Sequence, residues 1–245
     1  MCRRLAHAGG LALLVPLAAR AAPAASAASW FVAGKTGSLS VPMQIVLLLT
    51  ALTLLPAAVV SVTPFLRISI VLHFLRQALG TQTAPSNQVL VGLALFLSLL
   101  SIEPMASQIY DQAWTPMENG QMTLPQAAQE AAKPLRRFWL RFAREKDIAL
   151  LLEVSHSPAP RTPADVDLKV LIPAYILSEL KASFQIGAVL YLPFLVIDLV
   201  VASVTLSVGM IQLPPVMISA PFKILLFVLV DGWNLVIGSL MKSFA

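Results

Sequence analysis

The chain has 245 residues, 58% of them hydrophobic and 12% charged, with a mean hydropathy of +0.80. Ordinary soluble domains carry about 25% charged residues, so this balance excludes one and points to an integral membrane protein. A formal charge of +5 does not indicate nucleic acid as a partner, because the basic residues are dispersed and no aromatic or Gly-rich binding motif accompanies them.

Residues 1–28 read as a targeting segment. Arg3 and Arg4 form a basic start, Leu11–Ala19 (LALLVPLAA) a short apolar run, and an Ala-rich stretch follows. The run is too short to span a bilayer, so a removed signal peptide is expected. Cleavage is expected after Ala27, with Ala21 the competing site, leaving an exported N-terminus near Trp30. Cys2, the single cysteine, lies upstream of the run and is neither a lipid-attachment site nor half of an internal disulfide.

Residues 29–110 hold two apolar regions. The first, Val41 to about Leu79, is interrupted by Pro56, Pro64, Arg67 and Arg76. As one helix it would measure roughly 55–60 Å, against a ~30 Å hydrocarbon core, so it must kink, tilt or leave the bilayer. Proline supplies the break by removing a backbone donor and crowding the preceding turn. The second region, Asn87–Ile102, follows a polar turn marked by Gly80 and Pro85 and is expected to stop at Glu103-Pro104.

Residues 111–181 form the polar segment, expected to be helical and periplasmic. Nine acidic and nine basic residues lie between Tyr110 and Lys181. Within it Leu135, Phe138, Trp139 and Phe142 recur at helical spacing, which predicts a helix inside Lys133–Val154. Arg137, Arg141 and Arg144 occupy another face of that helix. A solvated basic face is the simpler reading, and contact with anionic lipid or an acidic partner the sharper one. A Pro-rich connector, Ser155–Asp167, closes the segment.

Residues 182–245 read as a helical hairpin. Ala182–Val208 forms one arm, Gly209–Pro215 (GMIQLPP) breaks it, and Val216–Lys242 forms the other. With the turn centred near Gln212, Asp198 and Lys223 lie at depths that differ by roughly 4.5 Å, less than one helical turn. They are expected to pair, because an isolated charge in hydrocarbon costs about 2.5–3.5 kcal/mol by insertion scales. Fixing helix packing and serving a function weigh equally as the purpose of that pair. Asp231 has no matched partner in the hairpin and is expected to face another subunit or a polar lumen.

No HExxH, CxxC, GxSxG or Walker loop occurs, and His7, His73 and His156 are far apart. No catalytic residue, metal site or cofactor is expected, and the protein is not read as an enzyme.

Three long blocks carry a resemblance: Arg67–Leu97 (RISIVLHFLRQALGTQTAPSNQVLVGLALFL), Ser178–Val204 (SELKASFQIGAVLYLPFLVIDLVVASV) and Leu213–Phe244 (LPPVMISAPFKILLFVLVDGWNLVIGSLMKSF). They closely resemble the FliP family of flagellar export-gate subunits, which includes the equivalent subunits of virulence type III secretion systems. The likeness covers about Val41 to Phe244 and weakens between Thr115 and Asp167.

The resemblance implies an all-α membrane protein that assembles in several copies, with FliQ- and FliR-like subunits, into a helical multi-subunit export gate. Unfolded flagellar proteins would be its cargo, and other export-apparatus membrane proteins would touch it. The implied location is the bacterial inner membrane, multi-pass, within the flagellum basal body. The hairpin turn of the family is Met-rich and constricts the passage, which assigns that role to Met210, Ile211 and Gln212. Ile211 and Gln212 depart from the usual Met, and Glu103 stands where an uncharged residue is expected. The signal segment and the long polar loop favour the flagellar branch over the virulence branch. An ion or solute transporter using Asp198, Lys223 and Asp231 is the alternative of a different class, and no inverted repeat supports it.

Overall fold

A computed structural model describes residues 40–81, 83–158, 160, 162–209 and 214–244. The signal expected over residues 1–28 and the constriction residues Met210, Ile211 and Gln212 lie outside the described residues. The chain divides into two units, residues 1–52 and 53–245. The described part of the first unit is the opening of helix α1, Val41–Ser61, and the rest of α1 begins the second unit.

Helix α1 runs through Pro56 and buries none of its residues. Two of its hydroxyls are satisfied locally: Thr50 donates to the Val46 carbonyl at 2.8 Å and Ser61 to the Ala57 carbonyl at 2.8 Å. That is how a polar side chain survives on an apolar helix. The first apolar region then breaks at Val62–Pro64, as its length requires, and resumes as α2, Phe65–Ala78.

Helix α2 is the hub of the second unit. Ile68, Val71, Leu72, Leu75 and Ala78 recur three and four apart and are buried against the helices Asn87–Ile109 and Leu168–Ser207. Helix α3 spans Asn87–Ile109, a π segment follows at Tyr110–Trp114, and α4 is Thr115–Glu118. The expected stop at Glu103-Pro104 is therefore corrected: the helical path continues through Pro104 to Glu118. Proline removes one backbone hydrogen bond there, and packing of the following turns against α5, Leu124–Phe142, keeps the helix going.

The polar segment is helical, as expected, but the helix expected inside Lys133–Val154 is in two pieces. Helix α5 begins with a capping box in which Thr123 and Gln126 satisfy each other's end groups. It ends at Phe142, and α6 spans Glu145–Val154. Trp139 turns inward and donates its indole N–H to the Val62 carbonyl at 3.1 Å. With Ala143, Val166, Val170, Leu171, Ala174 and Tyr175 it forms a second apolar cluster.

Helix α7 spans Leu168–Ser207, forty residues, so the arm expected from Ala182 starts fourteen residues earlier. Asp167 caps it by accepting from the Lys169 N–H at 3.1 Å, and its first turns pack into the Trp139 cluster. The second arm is corrected as well. It is two helices, α8 Pro215–Leu229 and α9 Gly232–Lys242, bent by 67°.

Among the described residues, three stretches are long and apolar enough to cross a membrane: Val41–Ser61, Asn87–Glu118 and Leu168–Ser207; the bent pair α8–α9 makes a fourth if taken as one span. All described residues fit an all-α class, with no strand among them.

Candidate functional site

Helices α7 and α8 pack antiparallel beside the expected turn. Helix α7 ends at Ser207, and Gly209 follows in the left-handed region with φ 77°, a conformation that glycine adopts without steric cost. Pro214 precedes α8. Two cross-helix contacts then share one register. Asp198 meets Lys223, and Phe194, one turn before Asp198, meets Phe227, one turn after Lys223, with ring centroids 6.3 Å apart.

The structure brings Asp198 and Lys223 together. Lys223 Nζ donates to Asp198 Oδ2 at 2.6 Å, and Ser219 Oγ donates to Asp198 Oδ1 at 2.5 Å. Ser219 and Lys223 are four apart on α8, so both donors stand on one face toward α7. The Lys223 side chain is 2% exposed and that of Asp198 23%. An ammonium buried to that degree is tolerated only with its countercharge in place.

Asp231 lies apart from this pair. It occupies the break between α8 and α9 in the left-handed conformation, φ 51° and ψ 51°, which Asp and Asn adopt more readily than bulkier residues. Its Oδ2 accepts from Asn234 Nδ2 at 3.1 Å, and among the described residues no cation pairs with it. The bend also needs Gly232: a Cβ there would come within 2.2 Å of the Phe227 ring. Asp231 therefore stands at a helix end rather than in mid-helix.

Two further ionic sites were not anticipated as pairs. Arg67 on α2 binds Glu179 on α7 through Nε to Oε2 at 2.8 Å and Nη2 to Oε1 at 2.5 Å. The guanidinium also donates to Ser243 Oγ at 3.0 Å and lies over the Phe244 ring at 4.4 Å, so it ties the C-terminal turn to the hub. An arginine inside an apolar run was the available signal; Glu179 falls in the polar segment, three residues before the apolar arm. The second site joins α6 to α7. Asp147 accepts from Ser178 at 2.7 Å and from Lys181. Burial alone would raise the Asp147 carboxyl, but hydrogen bonds from Lys181 and Ser178 and the charges of Lys181 and Arg144 outweigh it and hold it below its ordinary range.

Among the described residues no cluster of three or more His, Cys, Asp or Glu is placed to hold a metal ion. The ionic sites do not assemble into a nucleophile and base. They join helices: α7 to α8, α2 to α7, and α6 to α7.

The sequence profile of the FliP family matches residues 48–240. The chain is 50% identical over 211 residues to a flagellar biosynthetic protein FliP of Pectobacterium carotovorum, covering 86% of this chain and 81% of that one. It is 46% identical over 207 residues to a flagellar biosynthetic protein FliP of Bacillus subtilis, covering 84% of this chain and 94% of that one. A flagellar biosynthetic protein FliP of Caulobacter vibrioides is 49% identical over 202 residues, covering 82% of this chain and 76% of that one. All three matches cover far more than the hairpin and its ion pair, and this chain belongs to the FliP family.

Proposed function

We propose that this chain is a core subunit of the flagellar type III protein export gate. It acts without catalysis or cofactor, as one wall element of a channel built from several copies of itself and FliQ- and FliR-like subunits. Unfolded flagellar proteins are the cargo. The location is the bacterial inner membrane, multi-pass, at the flagellum basal body, with the polar segment of residues 111–181 on the periplasmic side.

The observation that carries this reading is the family match across residues 48–240, whose relatives bear the name flagellar biosynthetic protein at 46–50% identity. The structure supports it in a second way. Large apolar side chains on α1, α3 and α7 remain exposed, among them Leu52, Phe96 and Leu199, while Asp198 on α7 and Lys223 on α8 turn toward each other. That distribution suits a subunit that meets lipid or neighbouring subunits on most sides.

The turn that joins α7 and α8 supplies the constriction in this reading. Met210 and Ile211 provide flexible and apolar sealing groups, and Gln212 adds a polar one.

The test is complementation. In a motile bacterium lacking its own FliP, expression of this chain is expected to restore swimming and the appearance of hook and filament protein in the medium. Stable membrane insertion without restored export of either protein would contradict the proposal.

A further inference from the structure

We propose that Gly80 is a positioning residue: it lets the turn between α2 and α3 brace the start of α8, and that brace keeps the resting channel wall tight to ions. The inference rests on the channel function proposed for this chain.

Gly80 follows α2 in the left-handed region with φ 75°, where a side chain is strained. A Cβ there would lie 3.5 Å from Ala220 Cβ and 3.8 Å from Val216 Cγ1, so the turn rests on α8. One methyl group would fill that space, and a larger side chain would press on the helix. Val216 and Ala220 are four apart and share one face of α8. Ser219 and Lys223 present a neighbouring face to Asp198 of α7. The first turns of α8 thus sit between α7 and the α2–α3 turn.

The turn is the firmer side of this contact. Ala78 and Leu79, just before Gly80, are buried in the main apolar cluster. Thr81 Oγ1 donates to the Arg76 carbonyl at 3.2 Å, and Arg76 Nη1 donates to the Pro85 carbonyl at 3.4 Å. His73 Nε2 and Asn87 Oδ1 lie 2.8 Å apart and tie α2 to the start of α3. Val216, by contrast, is 51% exposed. A side chain added at Gly80 therefore moves the start of α8 rather than the turn. Helix α8 begins at Pro215, only about 7.5 Å along the axis from Ala220, where the chain leaves the segment that supplies the constriction. Little backbone separates the two, and a close-packed seal fails once a gap admits water.

The test uses the export-deficient host of the complementation experiment, which supplies its own partner subunits. Immunoblots follow membrane accumulation, and loss of membrane potential reports ion leak. Gly80→Val is expected to accumulate and to raise the leak several-fold. Ala220→Leu presses on the same contact from α8 without straining the turn, and should raise it too. Gly120→Val carries similar left-handed strain, at φ 70°, with nothing within 4 Å of its Cβ, and should stay tight. The contact itself is read in a Cys2→Ser chain carrying Gly80→Cys/Ala220→Cys. A Cβ separation of 3.5 Å suits a disulfide, so mild oxidation is expected to join the two within one chain. Absence of that disulfide, or a leak from Gly120→Val equal to that of Gly80→Val, would overturn the proposal. Loss of both Gly80→Val and Ala220→Leu from the membrane would overturn it as well, since the contact would then serve folding alone. Failure of the unsubstituted chain to restore export would sink the channel function itself. Restored export with tight membranes in both variants would sink this inference alone.

Discussion

Arg67 and Glu179, 112 residues apart in sequence, form a two-bond ion pair that closes the contact between α2 and α7. Both side chains are almost fully buried, at 8% and 0% exposure. Removing one partner strands the other charge, which typically costs about 3–5 kcal/mol, whereas replacing both by apolar groups can be close to neutral. Arg67→Ala or Glu179→Ala is expected to abolish accumulation of folded protein in membranes. Arg67→Met/Glu179→Leu is expected to accumulate better than either, as followed by immunoblot and protease resistance. Equal loss in all three would remove the ion pair as the cause.

Asp198 and Lys223 make the same argument closer to the turn. Asp198→Ala or Lys223→Ala is expected to reduce export at least tenfold, since each leaves a charge without its partner. The exchanged variant Asp198→Lys/Lys223→Asp is expected to recover part of it. Ser219→Ala, which deletes one hydrogen bond to Asp198, should cost less than either. Swimming diameter and secreted hook protein measure all four, and normal swimming in both single variants would dismiss the pair.

Gly187 sets the spacing of α2 and α7. A Cβ there would stand 2.6 Å from Cγ and Cδ2 of Phe74, and Phe74 is held edge-on by Phe184 at 5.3 Å. Gly187→Ala is expected to destabilise the protein by about 1–3 kcal/mol, the usual cost of overpacking. Adding Phe74→Leu should return part of that loss. Detergent melting temperatures check it, and an unchanged melting temperature in Gly187→Ala would contradict the packing.

Asp147 predicts a pH dependence. Its carboxyl is held below its ordinary value in the folded protein. The sign follows directly: the stabilisation is full above the unfolded value of about 3.9 and is lost as pH falls through the lower folded value. Melting temperature should therefore be insensitive to this group from pH 7 to pH 5 and fall below about pH 4. Asp147→Asn is expected to melt lower at pH 7 and to show a shallower acid decline, measured by thermal scans of the detergent-solubilised protein.

The sequence made the Asp198–Lys223 pair legible because both residues are tied to one short turn. Gly209 and the Pro214-Pro215 pair mark that turn, and helical rise then sets the relative depth. Arg67 and Glu179 have no such shared landmark. Their meeting depends on how α3, α5 and α6 return the chain to α2, which no local pattern encodes. Helical spacing placed Trp139 and Phe142 on one face, yet it carried the helix across Ala143 and Arg144, where the backbone turns extended to let α6 reach Ser178 and Lys181. Pro104 misled in the other direction, since a proline ends a helix only when tertiary packing does not restore it. Asp231 was legible as an anomaly but not as a break. Its left-handed backbone and the need for Gly232 against Phe227 become visible only in three dimensions.

The central claim is that this subunit works inside a multi-subunit membrane channel. The most direct test is the mass of the intact particle after co-expression with FliQ- and FliR-like partners and purification in mild detergent. A particle holding several copies of this 26.3 kDa chain together with both partners is the predicted result. A stable species containing one copy and neither partner would contradict it.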